Sequence, residues 1–136
     1  MALLSASDLQ DILQKAFPEN ATIVVETVDD SGVTLRLKVH EGHSRPGGTV
    51  SGPALMTLAD SAAWMAVMSQ VGEVLLAVTT SLHIDFLRKP KLADVLARAN
   101  VLKLGKSLAV VDVFLTSEGS SDVVAKSSVT YSIPPR

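Results

Sequence analysis

Asp60 is the residue that asks for an explanation. It lies in "RPGGTVSGPALMTLADSAAWMAV", residues 45–67, where a loop rich in Gly and Pro runs into a segment otherwise built for burial. An isolated ionised carboxylate among apolar side chains is costly, so Asp60 needs hydrogen-bond partners or a raised pKa. Two readings follow. Asp60 is either a satisfied structural acid or a general base or nucleophile held in a dry cleft. Helical spacing puts Thr57, Asp60, Ser61 and Trp64 on one side of the segment. Upstream, backbone N–H groups at a helix start, with Gly52 permitting close approach, form either a plain helix cap or an oxyanion site. Eight residues separate Gly52 from Asp60, roughly 12 Å along a helix, too far to grip one carbonyl within a single chain. Two such helices lying antiparallel across a dimer axis bring Asp60 of one chain to Gly52 of the other. Thr79, placed by strict alternation with Ser81, His83 and Asp85, offers a hydroxyl to orient water or Asp60, or is an ordinary strand residue.

These residues need elements to hold them. "SASDLQDILQKAF" predicts a short helix capped by Ser7, with Gln10 completing a capping box and Pro18 stopping it. "ATIVVETV" predicts a strand, and "DDSG" a turn in which Gly32 suits positive φ. "VTLRLKV" alternates apolar and polar residues, as in a half-buried hairpin strand. A loop, "HEGHSRPGGTVSG", leads to the long helix. Ser51 or Gly52 caps it, Pro53 fits the first helical position, and Gly72 ends it. "EVLLAVTTSLHIDFL", "DVLARANVLKL", "SLAVVDVFLTS" and "DVVAKSSVTYSI" then give four strands. Their short connections suit antiparallel neighbours. The long helix is apolar nearly all round, so something wraps it. A curved antiparallel sheet is the economical answer, giving an α+β chain of one domain over residues 1–136.

Composition narrows the function classes. Hydrophobic residues make up 47% of the 136 residues and aromatics only 4%, so Ala, Val and Leu form the core and some apolar surface is expected against another chain. The absence of cysteine excludes disulfides and thiolate zinc sites. A formal net charge of −2 argues against general nucleic-acid binding. The longest apolar run, residues 54–68, is shorter than the ~20 residues of a membrane span. "MALLSASDLQ" lacks the marks of a secretory signal, so a cytoplasmic, soluble protein is expected. His40, His43 and His83 lack metal-ligand spacing, and no metal or redox cofactor is expected. Between Arg88 and Lys106 stand six basic residues and one acid, Asp94. That patch suits phosphate groups or is a solvated surface that blunts sheet edges. Arg88, Lys89 and Lys106, beside turns, are the best placed.

The whole chain, in order and length, resembles a hotdog-fold thioesterase of the PaaI-like, phenylacetate-pathway branch. The family pattern is roughly N-x-x-G-x-x-H-G-G, followed by an acid on the helix and a small hydroxyl residue in the next strand. "RPGGTVSGPALMTLAD" is the matching run. Arg45 stands where the family has Asn, Ser51 where it has His, and Pro53 where it has the second Gly of H-G-G. Gly48 takes the first glycine. Gly52 takes the one whose N–H polarises the thioester carbonyl, Asp60 the catalytic acid and Thr79 the hydroxyl residue. The resemblance implies hydrolysis of an acyl-CoA thioester, with CoA present only as part of the substrate. It also implies a homodimer with shared active sites and a dimer of dimers beyond it. Trp64, Met65 and Met68 suggest an adaptable apolar pocket that fits aryl or medium-chain acyl groups. A non-catalytic acyl-CoA binding protein is the second reading. An enoyl-CoA hydratase or dehydratase, which needs an acid–His pair, ranks below both because Ser51 replaces the loop His.

Overall fold

A computed structural model describes residues 2–20 and 22–135. Helix α1 spans Ala6–Ala16 and buries Leu9, Ile12 and Leu13, one stripe at helical spacing. Its cap is Ser5, not Ser7. The Ser5 hydroxyl accepts from the Asp8 N–H at 3.1 Å, and the Asp8 carboxylate accepts from the Ser5 N–H at 3.0 Å. Ser7 already lies inside the first turn, so the capping box belongs to the pair two residues earlier. That leaves Gln10 for another task. Its amide donates to the Ile23 carbonyl at 3.2 Å and accepts from the Val25 N–H at 2.7 Å, satisfying the outer edge of the sheet.

The strands are β1 (Ile23–Val28), β2 (Gly32–Leu37), the short arms β3 (Ser44–Arg45) and β4 (Thr49–Val50), β5 (Val78–Phe86), β6 (Val95–Leu104), β7 (Leu108–Ser117) and β8 (Val123–Ser132). Ala21, the proposed start of the first strand, lies outside the described residues. Six strands form one antiparallel sheet in the order β1-β2-β6-β7-β8-β5. Helix α2 (Gly52–Val71) packs on its inner face. This is the hotdog arrangement. Ala59, Ala62, Ala63 and Ala66 are fully buried on α2, and Ala97, Ala99, Ala109 and Ala125 on the strands. Small side chains let helix and sheet approach closely, and Leu58, Met65, Val33, Leu35 and Leu115 fill the remaining space.

Gly32 does not take positive φ; the turn glycines with that conformation lie elsewhere. Gly32 opens β2 beside β6, where a Cβ would stand 1.8 Å from the Ala99 carbonyl oxygen. Close strand approach, not turn geometry, requires glycine there.

The loop before α2 is itself a small hairpin. β3 pairs with β4 across a turn containing Gly47 and Gly48, with φ of 100° and 75°. Thr49 bridges to Lys91, and the Ser51 N–H donates to the His43 carbonyl at 2.7 Å. These contacts fix where α2 begins. Ser51 is its N-cap, Gly52 the first helical residue and Pro53 the second. Gly72, with φ of 92°, ends it.

Candidate active site

Asp60 finds its partners on two strands. Its Oδ1 accepts from the Thr79 hydroxyl of β5 at 2.7 Å and from the Tyr131 hydroxyl of β8 at 2.8 Å. Tyr131 also lies 3.2 Å from the Asp60 carbonyl oxygen. The carboxylate is half-buried and satisfied on one side. Burial pushes the Tyr131 phenol well above its ordinary value, and the adjacent Asp60 charge adds to that rise, so Tyr131 stays protonated and donates.

Thr79 reaches Asp60 because the strand is irregular. The pairing of β5 with β8 runs Thr79 opposite Tyr131, then Ser81 opposite Thr130, leaving Thr80 as an extra residue. Such a bulge reverses the inward–outward alternation. Thr79 therefore shares the inner face with Leu82 and Ile84, which pack against the core, whereas Ser81, His83 and Asp85 are exposed. The expected grouping of Thr79 with Ser81, His83 and Asp85 is thus overturned by one inserted residue. The His83 ring and the Asp85 carboxylate, 3.1 Å apart, form a solvent-exposed pair remote in character from the site.

A cavity of about 750 Å³ opens beside Asp60. Thr57, Asp60, Ser61, Thr79 and Tyr131 supply its polar groups. Trp64, Phe17, Met56, Leu75 and Leu82 are among its apolar walls. The helix face expected from spacing, Thr57, Asp60, Ser61 and Trp64, does line one space. Trp64 is held by its Nε1–H, which donates to the Val74 carbonyl at 3.4 Å, and by the Phe17 ring, edge-on at a centroid distance of 5.8 Å. Phe17 and Tyr131 escaped the sequence reading. Tyr131 was detectable, because an inward position on a period-two strand is a place where a tyrosine hydroxyl needs a partner. Phe17, past the end of α1, carries no comparable signal.

The other candidate residues lie apart from this cavity. Gly52 is at the start of α2, where a Cβ would stand 3.5 Å from the Phe86 ring, an ordinary contact. Its N–H has no hydrogen-bond partner among the described residues. The Ser51 hydroxyl accepts from the Ala54 N–H at 3.3 Å as a helix cap. Arg45 is exposed on β3, and Gly48 serves the hairpin turn through its positive φ. Arg88 donates to the Val123 carbonyl at 2.7 Å, at the end of the sheet where β8 begins. Lys89 is exposed next to it. Lys106 is exposed in the β6–β7 turn, at the opposite end, where β8 finishes. One chain therefore does not gather Arg88, Lys89 and Lys106 into a single patch. Arg98 is committed elsewhere: its guanidinium sits 2.9 Å from Asp29 and holds that carboxyl far below the usual range.

Comparison with known proteins agrees with this architecture. The family model described as "Thioesterase superfamily" matches residues 47–124, more than half of the chain. A crystal structure of a protein from Silicibacter sp. TM1040, described as a thioesterase, superposes with a TM-score of 0.92 at 42% identity, covering 99% of this chain and 95% of that one. Human acyl-coenzyme A thioesterase 13 is 32% identical over 96 residues, which is 69% of this chain and 67% of its own. A Thermoplasma acidophilum protein described as an esterase is 26% identical over 132 residues, 96% of this chain and 98% of its own. No described helix is long and apolar enough to cross a membrane. The chain belongs to the thioesterase superfamily, a hotdog-fold hydrolase of thioesters.

Proposed function

We propose that the protein hydrolyses an aryl- or medium-chain acyl-CoA thioester to the free acid and CoA, at sites shared between two chains. The observation that carries this reading is a carboxylate held by two hydroxyl donors at the wall of a largely apolar cavity. The cavity accepts the acyl group, and Asp60 acts at the carbonyl. As general base, it takes a proton from water while the water oxygen attacks the thioester carbon. As nucleophile, it attacks that carbon itself, and water then hydrolyses the resulting anhydride. In either case the C–S bond breaks, the acid is released and the CoA sulfur leaves as a thiolate that takes up a proton. The Gly52 N–H, at the positive end of the α2 dipole, stabilises the oxyanion.

Sharing between chains is supported by the sheet edge. β5 is an outer strand with exposed Val78 and Phe86, a ready surface for strand addition. Pairing β5 with its copy about a two-fold axis runs the strands antiparallel. Thr79 is near one end of this strand and Phe86 is at the other. The pairing therefore sets the Thr79–Asp60 end of one chain beside the Phe86–Gly52 end of its partner. That supplies the oxyanion donor missing near Asp60 within one chain. A dimer in solution at micromolar concentration is expected by light scattering; a folded monomer would refute the shared site.

The activity test is a panel of acyl-CoA thioesters with a thiol reagent. Release of CoA is expected, with aryl and medium-chain substrates preferred over acetyl-CoA. Tight binding without CoA release would make the protein an acyl-CoA carrier, and loss of enoyl absorbance would make it a hydratase.

A further inference from the structure

We propose that Tyr131 is a positioning residue, acting with Thr79 to pin Oδ1 of Asp60 and thereby assign the chemistry to Oδ2. The inference rests on the reading of Asp60 as the reacting acid and adds which oxygen reacts and what selects it. Both hydroxyl hydrogen bonds converge on Oδ1, at 2.7 and 2.8 Å. Oδ2 has no protein donor among the described residues, and Asp60 lines the cavity. A free carboxylate has two equivalent oxygens and a rotatable terminal torsion. With one oxygen held from two directions, the torsion is set and a single oxygen remains to accept a proton from water or to attack carbon.

The two donors reach that position through the sheet. Thr79 and Tyr131 are direct partners in the β5–β8 ladder, so their side chains stand side by side on the inner face. The bulge at Thr80 gives Thr79 this orientation. Tyr131 is nearly inaccessible, 5% exposed, and its hydroxyl is locked between the Asp60 side chain and backbone carbonyl. Burial keeps the phenol protonated, so the donor does not titrate away in the pH range where the carboxylate works.

A structural role is the competing explanation, because the same hydroxyl ties β8 to α2. Kinetics and rescue by the conservative variant separate the two. In Tyr131→Phe the ring still fills its place. We expect kcat on the substrate turned over fastest in the acyl-CoA panel to fall roughly tenfold, with KM little changed, since the lost contact is a hydrogen bond to a charged group. A purely structural tie between β8 and α2 would show instead as a lower melting temperature with kcat unchanged in the folded variant. Thr79→Val should behave likewise and Thr79→Ser should restore the wild-type values. The double variant should lose more than the product of the single losses, since either donor alone still holds Oδ1. If Tyr131→Phe does not fold, the loss in Thr79→Val and its rescue in Thr79→Ser carry the test by themselves. Wild-type kcat in the folded variants would overturn the positioning role, whatever their melting temperatures. Hydrolysis surviving in Asp60→Asn would instead overturn the underlying reading of Asp60, a separate result.

Discussion

Asp60→Asn is expected to lower thioester hydrolysis on the order of a hundredfold or more, the scale of a positioned base. The substitution is nearly isosteric, so the packing of α2 survives. The amide oxygen can still accept from Thr79 and Tyr131 as Oδ1 does now. The amide nitrogen then takes the place of Oδ2, and at the cavity wall an acceptor becomes a donor. It cannot take a proton from water at neutral pH or form an anhydride. The dimer should persist, because no ion pair involving Asp60 exists among the described residues. The melting temperature should hold or rise, since the substitution removes the desolvation cost of a half-buried charge next to an apolar cavity. Single-turnover hydrolysis, light scattering and thermal melts on wild type and variant decide the matter. Intact turnover would refute the chemical role. A collapsed fold would mean that Asp60 is a structural acid whose charge the two hydroxyls require.

Much of this site was legible because two periodicities are strong. The three- and four-residue spacing on α2 put Thr57, Asp60, Ser61 and Trp64 on one face, and they do line one cavity. Period two in the last four strands gave a sheet large enough to cover a helix that is apolar nearly all round. The failures share a physical origin in single-residue events that a pattern averages over. The extra Thr80 in β5 reverses which hydroxyls face inward, so alternation grouped Thr79 with exposed neighbours. Gly32 looks like a turn glycine, yet the approach of β6 is what excludes a side chain. The basic cluster illustrates a different limit. Nearness along the chain is not nearness in a sheet: Arg88 and Lys106 flank strand β6 in sequence but stand at opposite ends of it in space. Tyr131 was visible as an inward tyrosine in need of a partner, but that its partner is Asp60 follows only from the ladder that sets it beside Thr79.

The second large effect is a rescue. Gly52→Pro removes the proposed oxyanion donor, since proline has no N–H. The position is the most permissive on α2: Gly52 is in the first helical turn, where proline is favoured, and the preceding Ser51 already has φ −69° and ψ 151°, the conformation a residue before proline adopts; a thermal melt of the variant checks that proline directly before Pro53 leaves the helix start in place. The nearest atom to an added Cβ is 3.5 Å away on the Phe86 ring. Alone, this variant should lose on the order of a hundredfold in kcat, the usual cost of one oxyanion donor. Asp60→Asn alone should be at least as inactive. Unfolding the two together and refolding them lets chains redistribute at random. In a mixed dimer with shared sites, one site combines the intact Asp60 of one chain with the intact Gly52 of the other, and the second site has neither. With half the dimers mixed and half their sites whole, about a quarter of wild-type turnover should return. Each site confined to one chain would leave the mixture as inactive as its components, because no single chain then carries both groups. Rescue therefore depends on the one geometric fact that motivates it: Gly52 and Asp60 lie on the same unbroken helix, too far apart to meet at one carbonyl without a second copy.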